Sequence, residues 1–331
     1  MKNDKIDFVL TWVDGNDLKW QKEKAKYEPG KFSDSRAIRY RDWENLKYWF
    51  RGVEKFAPWV NKIYFVTWGH VPEWLDLNNK KLVIVNHKDF IPKKYLPTFN
   101  VNPIEMNFHR IKGLSEQFVY FNDDTFLTKM TKATDFFKNG MPVDVAIESG
   151  VNAQDPKMYK IYYNDLAIIN STFNKKDVVK NIKNWYSYKY GIQLFRGLLA
   201  RPWKKFIGFY NAHNPQPLLK ETYKEIWNKY EEVLDNTSSH KFRSEEDVNQ
   251  YLLKQWQLCK NNFYPRSYNF SKAFSIIDST KEACEYIEKQ KTTLLCVNDS
   301  FKMDSKNFNK FKKEINDSFE KLLPEKCSYE K

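Results

Sequence analysis

Apolar residues in this chain gather into short runs that stop abruptly at acidic turns. Phe8 to Asp17 reads FVLTWVDGND, and Phe118 to Phe126 reads FVYFNDDTF. Each opens as an aliphatic, β-branched or aromatic run and breaks at Asp, Asn or Gly, as a buried strand does when it delivers polar side chains to a sheet edge. The first strand is expected over residues 6 to 13 and another over Phe118 to Phe121, with two more at Lys62 to Thr67 (KIYFVT) and Lys81 to Val85. Between them the spacing turns helical. Trp43, Leu46, Trp49, Phe50 and Val53 recur at helical intervals over Arg41 to Phe56, ahead of Pro58, and a second helix is expected over Ile104 to Ile111. Strands alternating with helices of this length predict an α/β fold with a Rossmann-like, mostly parallel sheet. From about Asp135 to Tyr210 the periodicity weakens and Tyr, Asn and Lys dominate, and from Gln216 the pattern is mainly helical. The expected organisation is a Rossmann-like core at 1–134, a variable part at 135–210 and a mainly helical part at 211–331.

Composition supports a real core: 331 residues, 41% hydrophobic and 17% aromatic, suffice for one large or two modest domains. The charged start MKNDK leads straight into a strand, and no stretch approaches the ~18 apolar residues of a membrane span, so a cytoplasmic location is expected. Cys259, Cys284, Cys296 and Cys327 form no CxxC pair and read as ordinary thiols without disulfides. The net charge of +13 is spread along the chain and mixed with acidic residues, as on a solvated basic surface. It also suits an acidic partner, such as a phosphorylated substrate, a polyanionic polymer or an anionic inner membrane face, to which peripheral attachment is then expected. Nucleic acid is excluded as a partner, because no helix-turn-helix, RRM or zinc-finger signature accompanies the charge.

Ligand sites in open α/β sheets lie where strands end. Asn122, Asp123 and Asp124 form such an end, and adjacent carboxylates can hold a divalent cation that in turn holds a diphosphate, which points to nucleotide-sugar chemistry. The competing reading is that Asp-Gly and Asn-Asp simply turn the chain. Two such strand ends in one domain favour a site.

IDFVLTWVDGNDLKW from Ile6, RYRDWENLKYWFRGVEKFAPWVNKIYFVTWGHVPEWL from Arg39, HKDFIP from His87 and LPTFNVNPIEMNFHRIKGLSEQFVYFNDDTFL from Leu96 follow one another in order. NAHNPQPLLKETYKEIW from Asn211, KFRSEEDVNQYLL from Lys241, LCVND from Leu295 and the C-terminal LLPEKCSYEK complete the series. Together they resemble the four conserved regions of the Stealth family, which includes bacterial capsular polysaccharide phosphotransferases and the animal N-acetylglucosamine phosphotransferase. The matches run from Ile6 to Lys331 with a gap near Asp135 to Tyr210. Trp43, Trp68 and Val101 to Pro103 depart from the family pattern and bear on donor-sugar preference.

The resemblance implies transfer of a sugar-1-phosphate: an acceptor hydroxyl on a glycan or lipid-linked glycan attacks the sugar-linked phosphorus of a UDP-sugar, and UMP leaves. It makes 1–134 the nucleotide-sugar core and 135–210 an acceptor-side insertion, with a capsule-assembly complex as an expected partner. By similarity Asp124 leads in catalysis or metal binding with Asp123, and Asn298 and Asp299 reach the same metal, for which hard oxygen donors suit Mg²⁺ or Mn²⁺. His213, read as lying in a loop entering a helix, is the candidate base. Arg243, in a turn read as starting another helix with Ser244 and Asp247 as a capping-box variant, is the candidate clamp on the β-phosphate. Asp14, Gly15 and Asp17 are expected to contact uridine, ribose or sugar hydroxyls, and His109, Arg110 and Asn122 the diphosphate region. Arg41 and Asn45, spaced i and i+4, are expected to share one helix face toward the cleft. Two other functions fit the same residues: an ordinary metal-dependent glycosyltransferase that releases UDP, and a non-enzymatic glycan- or membrane-binding protein.

Overall fold

A computed structural model describes residues 5–28, 40–151, 156–299 and 303–331. The strands in chain order are β1 (Ile6–Thr11), β2 (Ile63–Thr67), β3 (Leu82–Asn86), β4 (Gln117–Phe121), β5 (Thr125–Leu127), β6 (Phe137–Lys138), β7 (Met141–Asp144), β8 (Gln216–Leu219), β9 (Tyr264–Pro265), β10 (Ser271–Ser275) and β11 (Leu294–Asn298). The helices are α1 (Leu18–Lys26), α2 (Leu46–Phe56), α3 (Val101–Met106), α4 (Pro156–Thr172), α5 (Lys175–Val178), α6 (Ile182–Trp185), α7 (Leu194–Ala200), α8 (Lys220–Lys229), α9 (Glu231–Ser239), α10 (Gln250–Cys259), α11 (Ile276–Glu288) and α12 (Ser305–Leu322).

The main sheet runs β3-β2-β1-β4-β8. Its first four strands are parallel and β8 returns antiparallel to β4. The fold is thus the mixed α/β type with a mostly parallel sheet that the alternation of strand and helix predicts. Strand periodicity divides the core into two layers. Phe8, Leu10, Ile63, Phe65, Val119 and Phe121 face one side with α2, α11 and α12, whereas Val9, Tyr64, Val66, Phe118 and Tyr120 face the other with α3, α4, α8 and α10. The C-terminal tail is fastened to α2. Arg51 Nε and Nη2 fork onto Glu330 at 2.7 and 2.9 Å, and Nη1 donates to the Leu323 carbonyl at 2.8 Å.

Four local expectations are corrected. The helix expected from Arg41 begins at Leu46, because Asp42 accepts the Glu44 N–H at 2.7 Å and holds Glu44 at φ 54°, outside helical space. Arg41 and Asn45 therefore share no helix face. The helix expected over Ile104 to Ile111 is shifted to Val101–Met106, started by the Asn100 side chain on Asn102 N–H and followed by a 3₁₀ turn at Phe108–Arg110. His213 precedes strand β8 rather than a helix, and the turn after Arg243 leads to α10 only at Gln250, capped by Asn249.

Candidate functional site

Parallel pairing of β1 with β4 places Leu10 beside Phe121, so both strands end at one edge of the sheet, at the point where the strand order reverses. A cavity of about 600 Å³ opens there. Beyond β4 the chain turns through Asn122, Asp123 and Asp124, with Thr125 Oγ1 and N–H both on the Asn122 carbonyl at 2.8 and 3.2 Å. The chain then reverses into β5. That short strand pairs antiparallel with β11, Thr125 opposite Cys296, and Val297 N–H donates to the Asp124 carbonyl at 2.9 Å. This pairing carries Cys296, Asn298 and Asp299 to the site from far along the sequence.

The return of β8 does the same for His213. Gln216 lies opposite Tyr120, so the loop before β8 comes out at the carboxyl end of β4. His213 Nε2 is 3.0 Å from Asn122 Nδ2 and 3.3 Å from Asp124 Oδ2, and Nδ1 is 3.4 Å from the Tyr251 hydroxyl. Burial alone would lower the pKa of this imidazole. The pull of Asp124, its hydrogen bond, and the Glu105 and Asp123 charges outweigh burial and raise it above the usual histidine value. Asp123 opens onto the cavity and its side chain is exposed to solvent. Partial desolvation, with Asp124 and Asp42 nearby, pushes its carboxyl up to about 7.

Arg243 lines the cavity with Nη1 3.0 Å from Met158 Sδ. Its loop is held by fully buried Asp247, which accepts from Asn100 and Asn102 Nδ2 at 2.8 and 2.7 Å and from Ser244 N–H at 3.1 Å, and pairs with His240 Nδ1 at 2.7 Å. Asp247→Ala is expected to leave these donors unmet inside the protein and to cost about 3–5 kcal/mol, read as a lower urea midpoint with an unchanged slope. A midpoint within experimental scatter of wild type would remove Asp247 from this role.

Asn45, Asn298 and Asp299 also line the cavity. Asp299 Oδ2 takes the Trp43 indole N–H at 3.3 Å and lies 3.5 Å from Arg41 Nη1.

Several expected contacts are not brought to this cavity. Asp17 caps α1 by accepting Trp20 N–H at 2.8 Å, and Asp14 accepts Asn16 N–H at 2.8 Å while its own N–H donates to His70 Nε2. Gly15 passes so close to Tyr40 that a Cβ would lie 2.0 Å from its carbonyl oxygen. The segment forms a turn, and the cavity is lined by Thr11, Trp12 and Val13 just before it. His109 and Arg110 lie against α8, the imidazole 5.3 Å from the Tyr223 ring and the guanidinium 4.8 Å over Trp227. Burial among these rings, with Arg110 and lysines nearby, lowers the His109 pKa to about 3.

Sequence reasoning missed four groups. Asp42 and Glu105 both face the cavity. Glu105 accepts from the Tyr120 hydroxyl at 3.1 Å and Gln250 N–H at 3.2 Å, and burial raises it to about 7 against the opposing pull of those bonds, Arg243 and His213. A charge inside the apolar segment PIEMNF was its visible signal. Tyr251 and Cys296 carried none. Cys296, read as an ordinary thiol, lies 3.5 Å from Asp124 Oδ2. Among the described residues, Asp124, His213 and Cys296 are the three close donors able to surround a cation, within 4.8 Å of one another; Asp123 and Asp299 do not join that group. The expected all-oxygen set is therefore not what packs around Asp124. Asp124 Oδ1 is buried with no hydrogen-bond partner, so a lone pair remains for a cation.

Part of the cavity wall is aromatic. Trp20 meets Tyr40 at 4.7 Å and Phe99 at 5.8 Å, and all three line the space. Trp20 and Phe99 are themselves buried with Phe242, so these rings form a rigid apolar wall, and a charged ligand entering the cavity meets Arg41, Arg243 and the carboxylates.

Conserved region 1 of Stealth proteins matches residues 4–31, conserved region 2 matches 39–144 and conserved region 3 matches 212–253. The capsular polysaccharide phosphotransferase WcwK of Streptococcus pneumoniae is 43% identical over 336 aligned positions, covering 100% of both chains. The receptor polysaccharide phosphotransferase WefC of Streptococcus gordonii is 40% identical over 99% of each. Among solved structures, the glycosyltransferase GlyE of Streptococcus pneumoniae overlaps 97% of this chain and 64% of its own at 11% identity and a TM-score of 0.41, a likeness too distant to bear on function.

Proposed function

This chain belongs to the Stealth family, and from that premise we propose that it moves a hexose- or N-acetylhexosamine-1-phosphate from a UDP-sugar to a glycan hydroxyl, releasing UMP and forming a phosphodiester. It is an enzyme, a phosphotransferase of capsular or exopolysaccharide synthesis. The observation that carries the finer reading is the convergence of Asn122 to Asp124, His213, Arg41 and Arg243 on one cavity with an aromatic wall.

In this reading the uracil lies toward the aromatic wall around Tyr40, and the diphosphate lies toward the two arginines. The acceptor oxygen approaches the sugar-linked phosphorus while His213 takes its proton. Asn122, Asp124 and Tyr251 fix the plane of the ring, and Asp124 stabilises the imidazolium once the proton is taken. Arg243 and Arg41 draw negative charge away as the bond to UMP breaks. A Mg²⁺ or Mn²⁺ ion would be held by Asp124 through its bare Oδ1, and would supply charge neutralisation of the diphosphate.

The deciding experiment incubates the protein with a panel of UDP-hexoses and UDP-N-acetylhexosamines, Mg²⁺ and oligosaccharides of a surface polysaccharide. UMP is expected by anion-exchange chromatography, with a phosphodiester resonance in the ³¹P spectrum of the product. UDP with a phosphorus-free product would identify an ordinary glycosyltransferase. Release of neither nucleotide from any donor would overturn the assignment of a UDP-hexose or UDP-N-acetylhexosamine as donor.

A further inference from the structure

Helices that face water turn their large apolar residues inward. Helix α7 does the reverse: it buries Gly197 and Ala200 and exposes Phe195, Leu198 and Leu199. The exposure continues on both sides, with Tyr188 at 85%, Ile192 at 77%, Phe195 at 64%, Leu199 at 74% and Trp203 at 55%. Seven of the 13 large hydrophobic residues exposed among the described residues fall between Ile182 and Trp203. Such a concentration of exposed large apolar residues in one segment points to an interaction site.

The segment is held rigidly in this orientation. Trp185 and Tyr190 are buried beneath it, and the Tyr190 hydroxyl donates to the Asn184 carbonyl and accepts Ala146 N–H at 3.2 Å. Buried Lys175 donates to the Ala200 carbonyl at 2.7 Å and to Glu148 at 2.8 Å, which pins the end of α7.

Charge selects the occupant. From Val178 to Lys220 there is no Asp or Glu, in a chain that has 42 of them. Lys183, Lys189, Arg196, Arg201, Lys204 and Lys205 are all exposed around the apolar face. A second copy docking face to face would set this cationic ring against itself. An anionic bilayer offers acyl chains to the apolar residues and phosphates to the ring. No described helix is long and apolar enough to cross a membrane, so the contact is with the surface.

We propose that residues 182–203 dock on an anionic lipid bilayer, with α7 lying in the plane of the interface. Phe195, Leu199 and Ile192 enter the acyl boundary. Tyr188 and Trp203 sit at headgroup depth, where amphipathic rings are favoured.

Flotation of the full chain with vesicles tests this without donor or acceptor, so the result is independent of the reaction proposed above. Wild type is expected to float with phosphatidylcholine vesicles containing about a third phosphatidylglycerol and to remain below pure phosphatidylcholine. The triple variant Phe195→Ser, Leu199→Ser, Trp203→Ser should lose about tenfold or more in partitioning at unchanged Tm, because the side chains removed are exposed. Lys204→Glu with Lys205→Glu should weaken binding to the anionic vesicles most at low salt, the difference from wild type shrinking as salt rises. Absence of flotation, equal binding to neutral vesicles, or a triple variant that floats like wild type would overturn the proposal. A dimer that the triple variant converts to monomer, without vesicle binding, would assign the face to a second copy.

Discussion

Asp124→Asn is expected to fold normally and to transfer sugar phosphate at no more than about a thousandth of the wild-type rate. The fold survives because the structural work at this position is done by the backbone: the Asp124 carbonyl accepts Val297 N–H and so fastens β11 to the turn after β4. Asn has the same shape and keeps that bond. The carboxylate itself is partly exposed, with one oxygen shared between His213 and Cys296 and the other bare. Replacing it removes the negative charge that holds His213 and, in the proposed reaction, a cation. Chelation by EDTA should reproduce the loss in wild type, with recovery on adding Mg²⁺ or Mn²⁺. Circular dichroism and a urea melt check the fold. A folded variant turning over at the wild-type rate would remove Asp124 from the mechanism, and full activity in EDTA would remove the metal.

The second large effect is on His213. His213→Ala should lower kcat by roughly 10²- to 10⁴-fold, the usual contribution of a positioned base, with little change in donor Kd. Arg243→Ala should in contrast also weaken donor binding, since its charge meets the diphosphate in the ground state. The pH dependence separates the roles further. A base must be neutral, so wild-type kcat should climb through a pKa above the unperturbed 6.5, and the slope should vanish in the alanine variant. Stability runs the other way. The raised folded pKa means that the imidazolium stabilises the fold fully below the unfolded value and loses that contribution as pH rises through the folded one. The raised pKa of Asp123 adds a contribution of the same sign, present at acid pH and lost as pH rises through the folded value, which should persist in His213→Ala. A kcat profile that is unchanged in the variant, or a loss confined to KM, would assign proton removal elsewhere.

The two halves of the site were unequally visible. Strands β1 and β4 could be read from short apolar runs ending in polar residues, because a buried strand needs a continuous apolar face and its end needs turn chemistry. Asn122, Asp123 and Asp124 were found this way, and they lie in the cavity. At Asp14, Gly15 and Asp17 a turn pattern and a binding pattern use identical residue types, and in the structure that turn, with His70 and Tyr40 packed against it, lies outside the cavity lining. His109 and Arg110 failed for a related reason: a short helix gives its side chains two possible faces, and packing against Tyr223 and Trp227 chose the one away from the site.

The sequence alone determined the alternation of strands and helices, the sheet edge where polar residues emerge, and the set of charged residues from which a site could be built. These are encoded over a few residues, by periodicity and by the backbone preferences of Asp, Asn and Gly. Tertiary structure alone decided which of those residues meet. Asn122 and His213 are 91 positions apart, and Asp124 and Cys296 are 172 apart. Each pair is joined only because β8 returns antiparallel to β4 and because β5 takes β11 as its neighbour. Strand pairing over such distances is selected by the burial of both sheet faces at once, a cooperative property of the whole core that no local pattern records.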